Sequence, residues 1–120
     1  MGLDRYFTVW FQHPDREPLT DEEYIRRIVD EMEAITCYGW EDAMQGEPAV
    51  SVGGVNWYDC IDDMEHISKE FPGVLFFLHC DGMGIDDIWE AGFLNGRYDI
   101  AGAEIPELDY RYLETGEVGK

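Results

Sequence analysis

The chain has 120 residues, of which 45% are hydrophobic and 14% aromatic, which is enough to bury the core of one domain and excludes a disordered acidic tail. Its 27 Asp and Glu residues against 8 Lys and Arg give a formal net charge of -19 at pH 7. Such a charge argues against binding to nucleic acid or to an anionic membrane, and it favours a basic protein as partner. The longest apolar run, Val74 to Leu78, is far shorter than the ~20 residues that span a bilayer.

The first predicted elements are a strand and a helix. Leu3 to His13 alternates in the manner of a strand and is rich in aromatic and β-branched residues. Thr20, with Glu23 three residues later, predicts a capping box at the start of the helix. One face of that helix is apolar, at Ile25, Ile28, Met32 and Ile35. Its outer face predicts four i,i+4 ion pairs, which are Glu22–Arg26, Glu23–Arg27, Arg26–Asp30 and Arg27–Glu31.

The next segment predicts a loop, a short strand and a second helix. The loop runs from Tyr38 to Pro48, and the strand from Ala49 to Val52 is ended by Gly53-Gly54. Asn56 is the predicted cap of a helix that runs to about Phe71. The buried stripe of this helix is predicted to be Trp57, Cys60, Ile61, Met64, Ile67 and Phe71, and its opposite side presents Asp59, Asp62, Asp63, His66 and Glu70.

Two further segments complete the sheet. Val74 to Cys80 is apolar throughout, which indicates a central strand that is buried on both faces. Asn95-Gly96 predicts a two-residue hairpin turn, because both residues accept a positive φ. The predicted cross-strand pairs are Leu94 with Arg97, Phe93 with Tyr98 and, further out, Asp87 with Glu104. One face of the hairpin then holds Trp89, Ala91, Phe93, Tyr98 and Ile100, and the other holds Glu90, Gly92, Asp99 and Ala101.

This order of elements predicts a single acidic α+β domain over residues 1–120. Two helices would pack on one face of a four- to five-stranded, mainly antiparallel sheet. A ferredoxin-like or related split βαβ arrangement satisfies that order.

The sequence gives little support to catalysis. The three cysteines form no C-x-x-C pair, so neither a disulfide framework nor a zinc site is predicted, and Cys60 and Cys80 are expected to be buried. The acidic turn from Asp81 to Asp87 lacks the ligand spacing of a calcium loop. His66 could join Asp59, Asp62 and Asp63 as metal ligands, but a solvated acidic helix face is favoured. We therefore predict no enzyme, no catalytic residue, no cofactor and no metal.

The distribution of charge predicts a protein-binding surface. Between Ile28 and Gly96 the chain has fifteen carboxylates and one basic side chain, Lys69. Carboxylates on a helix and a hairpin could imitate the phosphates of a nucleic acid toward a basic groove. Acidity that serves only solubility, or that reflects a halophilic source, is the alternative. The predicted contact residues are Asp59, Asp62, Asp63 and Glu70 on the second helix, extended by Asp86, Asp87 and Glu90 from the hairpin.

Three stretches support a resemblance to a known family. They are Trp57-Tyr58-Asp59-Cys60, Glu70-Phe71-Pro72-Gly73-Val74-Leu75-Phe76, and Asp86-Asp87-Ile88-Trp89 with Phe93-Leu94-Asn95-Gly96. Over about residues 50–105 the chain resembles the YubB-like ferredoxin-like domains of phages and mobile elements. The resemblance implies a mobile-element origin and supplies no known catalytic residues to carry over to this chain. In its acidity and its N-terminal helix the chain is also similar to anti-CRISPR and antirestriction proteins, many of which mimic nucleic acid.

These observations together predict an inhibitor. The expected activity is phage counter-defence, in which the protein occupies the basic channel of a CRISPR effector, restriction enzyme or nuclease, without direct contact to nucleic acid or membrane. An immunity protein against a basic nuclease toxin is the alternative, and an acidic housekeeping or small-ligand-binding domain is a third class. No signal peptide is visible, so a cytoplasmic location is expected, in the host cell if the protein is phage-encoded.

Overall fold

The structure is a computed structural model that describes residues 5–42, 48–82, 88–102 and 107–118. Six strands and three helices are present in these ranges. In chain order they are β1 (Arg5–Gln12), α1 (Glu22–Thr36), β2 (Glu41–Asp42), β3 (Ala49–Val55), α2 (Cys60–Glu70), β4 (Leu75–Asp81), β5 (Ile88–Leu94), β6 (Arg97–Ala101) and α3 (Tyr110–Thr115).

The strands form one sheet in the order β2-β3-β1-β4-β5-β6, and every pairing between neighbours is antiparallel. The α+β class and the antiparallel sheet are therefore confirmed, and β4 lies in the interior of the sheet as predicted. The prediction of four to five strands and two helices is wrong in number. It missed β2, whose two acidic residues carry no apolar pattern, and α3, a six-residue helix near the end of the chain.

The connections position the two long helices. β3 and β4 both pair with β1, so the β3-α2-β4 segment is a split βαβ unit with β1 between its strands. α1 instead follows β1 and leads to β2 at the sheet edge, and the chain then returns as β3, the direct neighbour of β1.

Because side chains alternate between the two faces of the sheet along each strand, an apolar layer lies on each face. Phe7, Val9 and Phe11 of β1 point to the side that carries α1 and α2, where they join residues of both helices in one buried cluster. The helix residues fully buried in that cluster are Ile28, Met32, Met64 and Ile67. The opposite face is smaller, and α3 covers it with Leu113 against Leu75 and Leu94. The packing of two helices on one face is thus confirmed, and a third helix lies on the other.

The start of α1 differs from the predicted capping box. Asp21, rather than Thr20, is the N-cap, and its Oδ1 accepts a hydrogen bond from the backbone N–H of Tyr24 at 3.1 Å. None of the four predicted α1 pairs closes to an ion pair. In the described chain Arg111 forms one with Glu117, and Nε2 of His66 lies 2.9 Å from Oε1 of Glu70. Exposed Glu–Arg pairs gain too little in water to hold two long side chains in one geometry.

The start of α2 was predicted about one turn too early in the sequence. α2 begins at Cys60 with Asp59 in the cap position, and Asn56 lies outside the helix. β3 also continues through Gly53-Gly54 to Val55, so the predicted end of that strand is wrong. The glycine at position 53 has a packing role, because a Cβ there would stand 2.5 Å from Cδ1 of Tyr6 on the neighbouring strand.

The predicted hairpin is confirmed in its described part. Asn95 and Gly96 have φ values of 53° and 82°, as a turn with two left-handed residues requires. The pairs Leu94–Arg97 and Phe93–Tyr98 are present, and Ala91 lies opposite Ile100. The predicted pair of Asp87 with Glu104 lies outside the described residues.

Candidate protein-binding surface

The acidic side of α2 is continuous along the helix. Asp59, Asp62, Asp63, His66 and Glu70 fall within an arc of about 100° around the helix axis. The buried residues Cys60, Met64 and Ile67 occupy the opposite arc and fix this side outward. The structure therefore brings together the four α2 carboxylates that the sequence predicted, and Asp59, Asp62 and Glu70 are exposed.

α1 lies beside α2 in the antiparallel sense. The ring of Tyr24 near the start of α1 contacts Phe71 at the end of α2, with centroids 5.7 Å apart. Tyr38, just after α1, contacts Trp57, just before α2, at 6.2 Å. The arrangement brings carboxylates of α1 next to those of α2, which sequence reasoning missed.

A shallow groove of about 540 Å³ marks this contact between the helices. It is lined by Arg27, Asp30 and Glu31 of α1 and by Glu70 and Phe71 at the end of α2. We use the name acidic surface for six carboxylates of this helical layer, namely Asp30, Glu31, Asp59, Asp62, Asp63 and Glu70.

Glu31, His66 and Glu70 form a cluster within the acidic surface. Nε2 of His66 lies 2.9 Å from Oε1 of Glu70, and one potential ligand atom from each of the three residues lies within 4.8 Å of the others. Imidazole and carboxylate groups are ligands for divalent transition metals. However, the side chains of His66 and Glu70 are 57% and 40% exposed, so water competes for the same positions. The grouping differs from the ligand set considered from sequence, which joined His66 to Asp59, Asp62 and Asp63.

Asp63 has a structural contact as well as a charge. Its Oδ2 accepts a hydrogen bond of 2.7 Å from the indole Nε1 of Trp57, a residue packed edge to face against Phe7 and Trp40. Burial raises the pKa of Tyr38, and the nearby charges of Asp63 and Asp59 raise this pKa further. Substitution of Asp63 would therefore disturb the packing of Trp57 as well as remove a charge, so Asp59 and Asp62 are better positions at which to test partner binding.

The single lysine of α2 lies away from these carboxylates. The aliphatic part of Lys69 covers the β5–β6 turn, where a Cβ added to Gly96 would stand 2.6 Å from Cγ of Lys69. No ion pair of Lys69 is found within the described ranges. Lys69 is the basic residue between Ile28 and Gly96 that could have neutralised the α2 carboxylates. Its side chain instead packs on the β5–β6 turn.

The predicted extension onto the hairpin is separated from α2. Glu90 pairs with His79 and Ala101 and points to the sheet face opposite the two long helices, since its neighbour Ala91 points toward them. Its side chain is also half-buried. Asp86 and Asp87 lie outside the described residues. Among the described candidates, a continuous surface consists of the α2 residues with Asp30 and Glu31, without Glu90.

The predicted burial of Cys60 and Cys80 is confirmed, and Cys37 is exposed. Burial raises the pKa of the Cys60 thiol to about 11, with a further contribution from Cys80. The thiol of Cys60 is therefore uncharged at neutral pH and packs as a small apolar group.

Comparison with known proteins gives no match, either to a protein-family model, to a curated protein or to a solved structure. The resemblance to the YubB-like domains stays a prediction. None of the helices in the described ranges is long and apolar enough to cross a membrane.

Proposed function

We propose that this protein binds a basic protein through the acidic surface and thereby keeps nucleic acid out of the partner's channel. The observation that carries the proposal is the row of exposed carboxylates on α2, whose one lysine is directed to the hairpin turn instead. A net charge of -19 adds a long-range field that steers a basic protein toward this chain.

The spacing of charge supports mimicry of a nucleic acid. From Asp59 to Glu70 the acidic surface has four carboxylates. At a rise of ~1.5 Å per residue this segment is ~17 Å long, so it presents one carboxylate per ~4 Å. One strand of duplex DNA carries one phosphate per ~3.4 Å of axis. A groove that holds one strand would therefore meet a similar density of charge on α2.

The resemblance to phage and mobile-element proteins favours a CRISPR effector or a restriction enzyme as the partner, in the cytoplasm of the host. In this proposal the protein is an inhibitor without catalytic activity. Inhibition follows because the same basic side chains cannot bind phosphate and carboxylate at once.

A competition assay tests the proposal. Fluorescently labelled duplex DNA is bound to a panel of basic proteins, namely a CRISPR effector with its guide RNA, a restriction enzyme and a nuclease toxin, and the full-length chain is titrated in. We expect displacement of the DNA from a member of the panel, with displacement weakening as salt is added. Displacement from the toxin alone would replace counter-defence by toxin immunity, and displacement from none would contradict the proposal.

A matched pair of variants assigns the effect to the surface. Asp59→Asn, Asp62→Asn and Glu70→Gln together remove three charges from the acidic surface. Asp81→Asn, Glu114→Gln and Glu117→Gln remove three exposed charges from β4 and from α3 and the residues after it, on the other side of the sheet. Both triple variants have the same net charge. Only the first is expected to lose displacement, and equal loss in both would reduce the proposal to an effect of net charge.

A further inference from the structure

A second candidate site lies on the sheet face opposite α1 and α2. A cavity of about 300 Å³ opens between β1, β4 and the start of α3, within the ~300–1,000 Å³ range of small-ligand pockets. Its walls are largely aromatic. The rings of Trp10 and Phe77 meet edge to face with centroids 5.7 Å apart, and Tyr110 of α3 forms another wall. The cavity can accept a ligand with one or two fused rings.

Arg16 supplies the charge at this cavity. Its Cζ lies 4.3 Å from the centroid of the Tyr110 ring, so the guanidinium stacks on a wall of the cavity. The backbone of Arg16 has a φ of 72°, a left-handed conformation that few residues other than glycine adopt, and its N–H donates to the carbonyl of His13 at 2.7 Å. The tight turn thus fixes the backbone from which the guanidinium reaches the aromatic wall.

Among the described residues that line the cavity, the charge is opposite to that of the chain. Of the 120 residues 27 are acidic, yet no carboxylate is among the described residues that line this cavity. Within the described chain, Arg111–Glu117 is an ion pair and His66 contacts Glu70, and Arg16 takes part in neither. With respect to the described residues, its guanidinium donors are therefore available for an added carboxylate.

We propose that this cavity binds a small planar aromatic carboxylate. The aromatic ring would pack against Trp10 and Phe77, where offset or edge-to-face contacts are favourable. The carboxylate would accept hydrogen bonds from the guanidinium of Arg16, whose planar fork matches the two oxygens. The site lies across the sheet from the acidic surface, so it does not depend on the function proposed above.

Titration followed by NMR tests this inference on the full-length chain. Indole-3-acetate is compared with its neutral analogue indole-3-acetamide and with the cation tryptamine. The chain has four tryptophans and so four indole N–H signals, and Trp10→Phe identifies the signal at the cavity. We expect ~1 mM indole-3-acetate to shift the Trp10 signal, with the amide binding at least about fivefold more weakly.

Two arginine variants identify the charge that matters. Arg16→Gln is expected to weaken binding of indole-3-acetate by about tenfold and to abolish the preference over the amide. Arg111→Gln removes a guanidinium that is paired with Glu117 at 3.1 Å and lies outside the cavity, so binding should change less than about twofold.

Three results would overturn the inference. Equal binding of the acid and the amide by the unaltered chain would show an apolar cavity without charge recognition. Tighter binding of tryptamine would show an aromatic cage for cations. No shift of the Trp10 signal by any of the three compounds would show that the cavity binds none of them. Because these comparisons are made on the unaltered chain, with Trp10→Phe used only to assign the signal, they decide the matter even if Arg16→Gln fails to fold.

Discussion

Ser68 illustrates how one side chain joins two elements. Among the described residues it is the polar side chain that is fully buried. Its Oγ accepts a hydrogen bond from the N–H of Gly96 and donates one to the carbonyl of Glu65, both at 2.8 Å. The hydroxyl therefore connects α2 to the turn between β5 and β6.

Replacing Ser68 with Ala should lower the free energy of unfolding by about 1–3 kcal/mol, because the half-buried N–H of Gly96 loses its acceptor in the buried Ser68 hydroxyl. Thr115 is the matched control, since its Oγ1 also donates to a helix carbonyl at 2.8 Å but is exposed. Thr115→Ala should cost less than about 0.5 kcal/mol. Urea unfolding of the two variants measures the difference, and equal costs would contradict the assigned role of Ser68.

Cys60 gives a prediction that depends on pH. Because burial raises its pKa from 9.0 to about 11, the thiol contributes stability that is complete below pH 9.0 and is lost as the pH rises toward 11. In the folded chain at pH 8, a thiol reagent should modify the exposed Cys37 and leave Cys60 unmodified. Mass spectrometry of the labelled peptides checks this, and Cys37→Ser provides the control in which fast labelling disappears. Rapid labelling of Cys60 at pH 8 would contradict the account.

At the scale of elements, the hairpin was predictable because its signal is local. Asn95-Gly96 accepts the positive φ of the turn, and alternation on each side of it fixes which residues share a face. The starts of the helices were less predictable, because several residues in a row could act as caps. Asp21 competes with Thr20, and the segment from Asn56 to Asp59 is held by burial of Trp57 rather than by an early helix turn.

The turn of that hairpin is also where α2 docks. The N–H of Gly73, just after α2, donates to Oδ1 of Asn95 at 2.8 Å, and the Lys69 stem covers Gly96. A substitution at Gly96 could therefore act through its backbone, where φ is 82°, or through contact with Lys69.

Gly96→Ala should lower the free energy of unfolding by about 1–2 kcal/mol, the cost of a left-handed conformation for a residue with a Cβ. The lysine side chain is flexible and can move aside, so the cost should persist when the same change is made in a Lys69→Ala background. Thermal unfolding of the unaltered chain, the two single variants and the double variant completes a double-mutant cycle. Disappearance of the cost in the Lys69→Ala background would assign it to the side-chain contact instead.

At the scale of the whole molecule, the sequence could predict the class of fold but not the assembly of the acidic surface. The alternation of buried and exposed residues in β1, and the helical spacing of apolar residues in α1 and α2, can be read from the order of apolar and polar residues. The approach of Glu31 to His66 and Glu70 depends on how two helices pack, which no local pattern contains. The sequence predicted part of the position of Glu90, because alternation along the strand places it on the sheet face opposite Ala91 and Phe93. The sequence did not predict that α1 and α2 cover the face that holds Ala91 and Phe93.

The helical layer and the opposite face also differ in the kind of partner they suit. The first combines many exposed carboxylates with a lysine turned away, and the second combines aromatic rings with Arg16. Charge on an exposed rim acts mainly on the rate of encounter and on its salt dependence. A kinetic measurement therefore distinguishes a specific acidic surface from a uniform negative field.

The most direct test is the association rate with the panel member that the chain inhibits, followed by stopped flow at low and high salt. Asp59→Asn, Asp62→Asn and Glu70→Gln together should slow association about tenfold at low salt and flatten its salt dependence. The matched triple Asp81→Asn, Glu114→Gln and Glu117→Gln should stay within about twofold of the unaltered chain. If both triples slow association equally, or if neither does, the acidic surface is not where this protein binds.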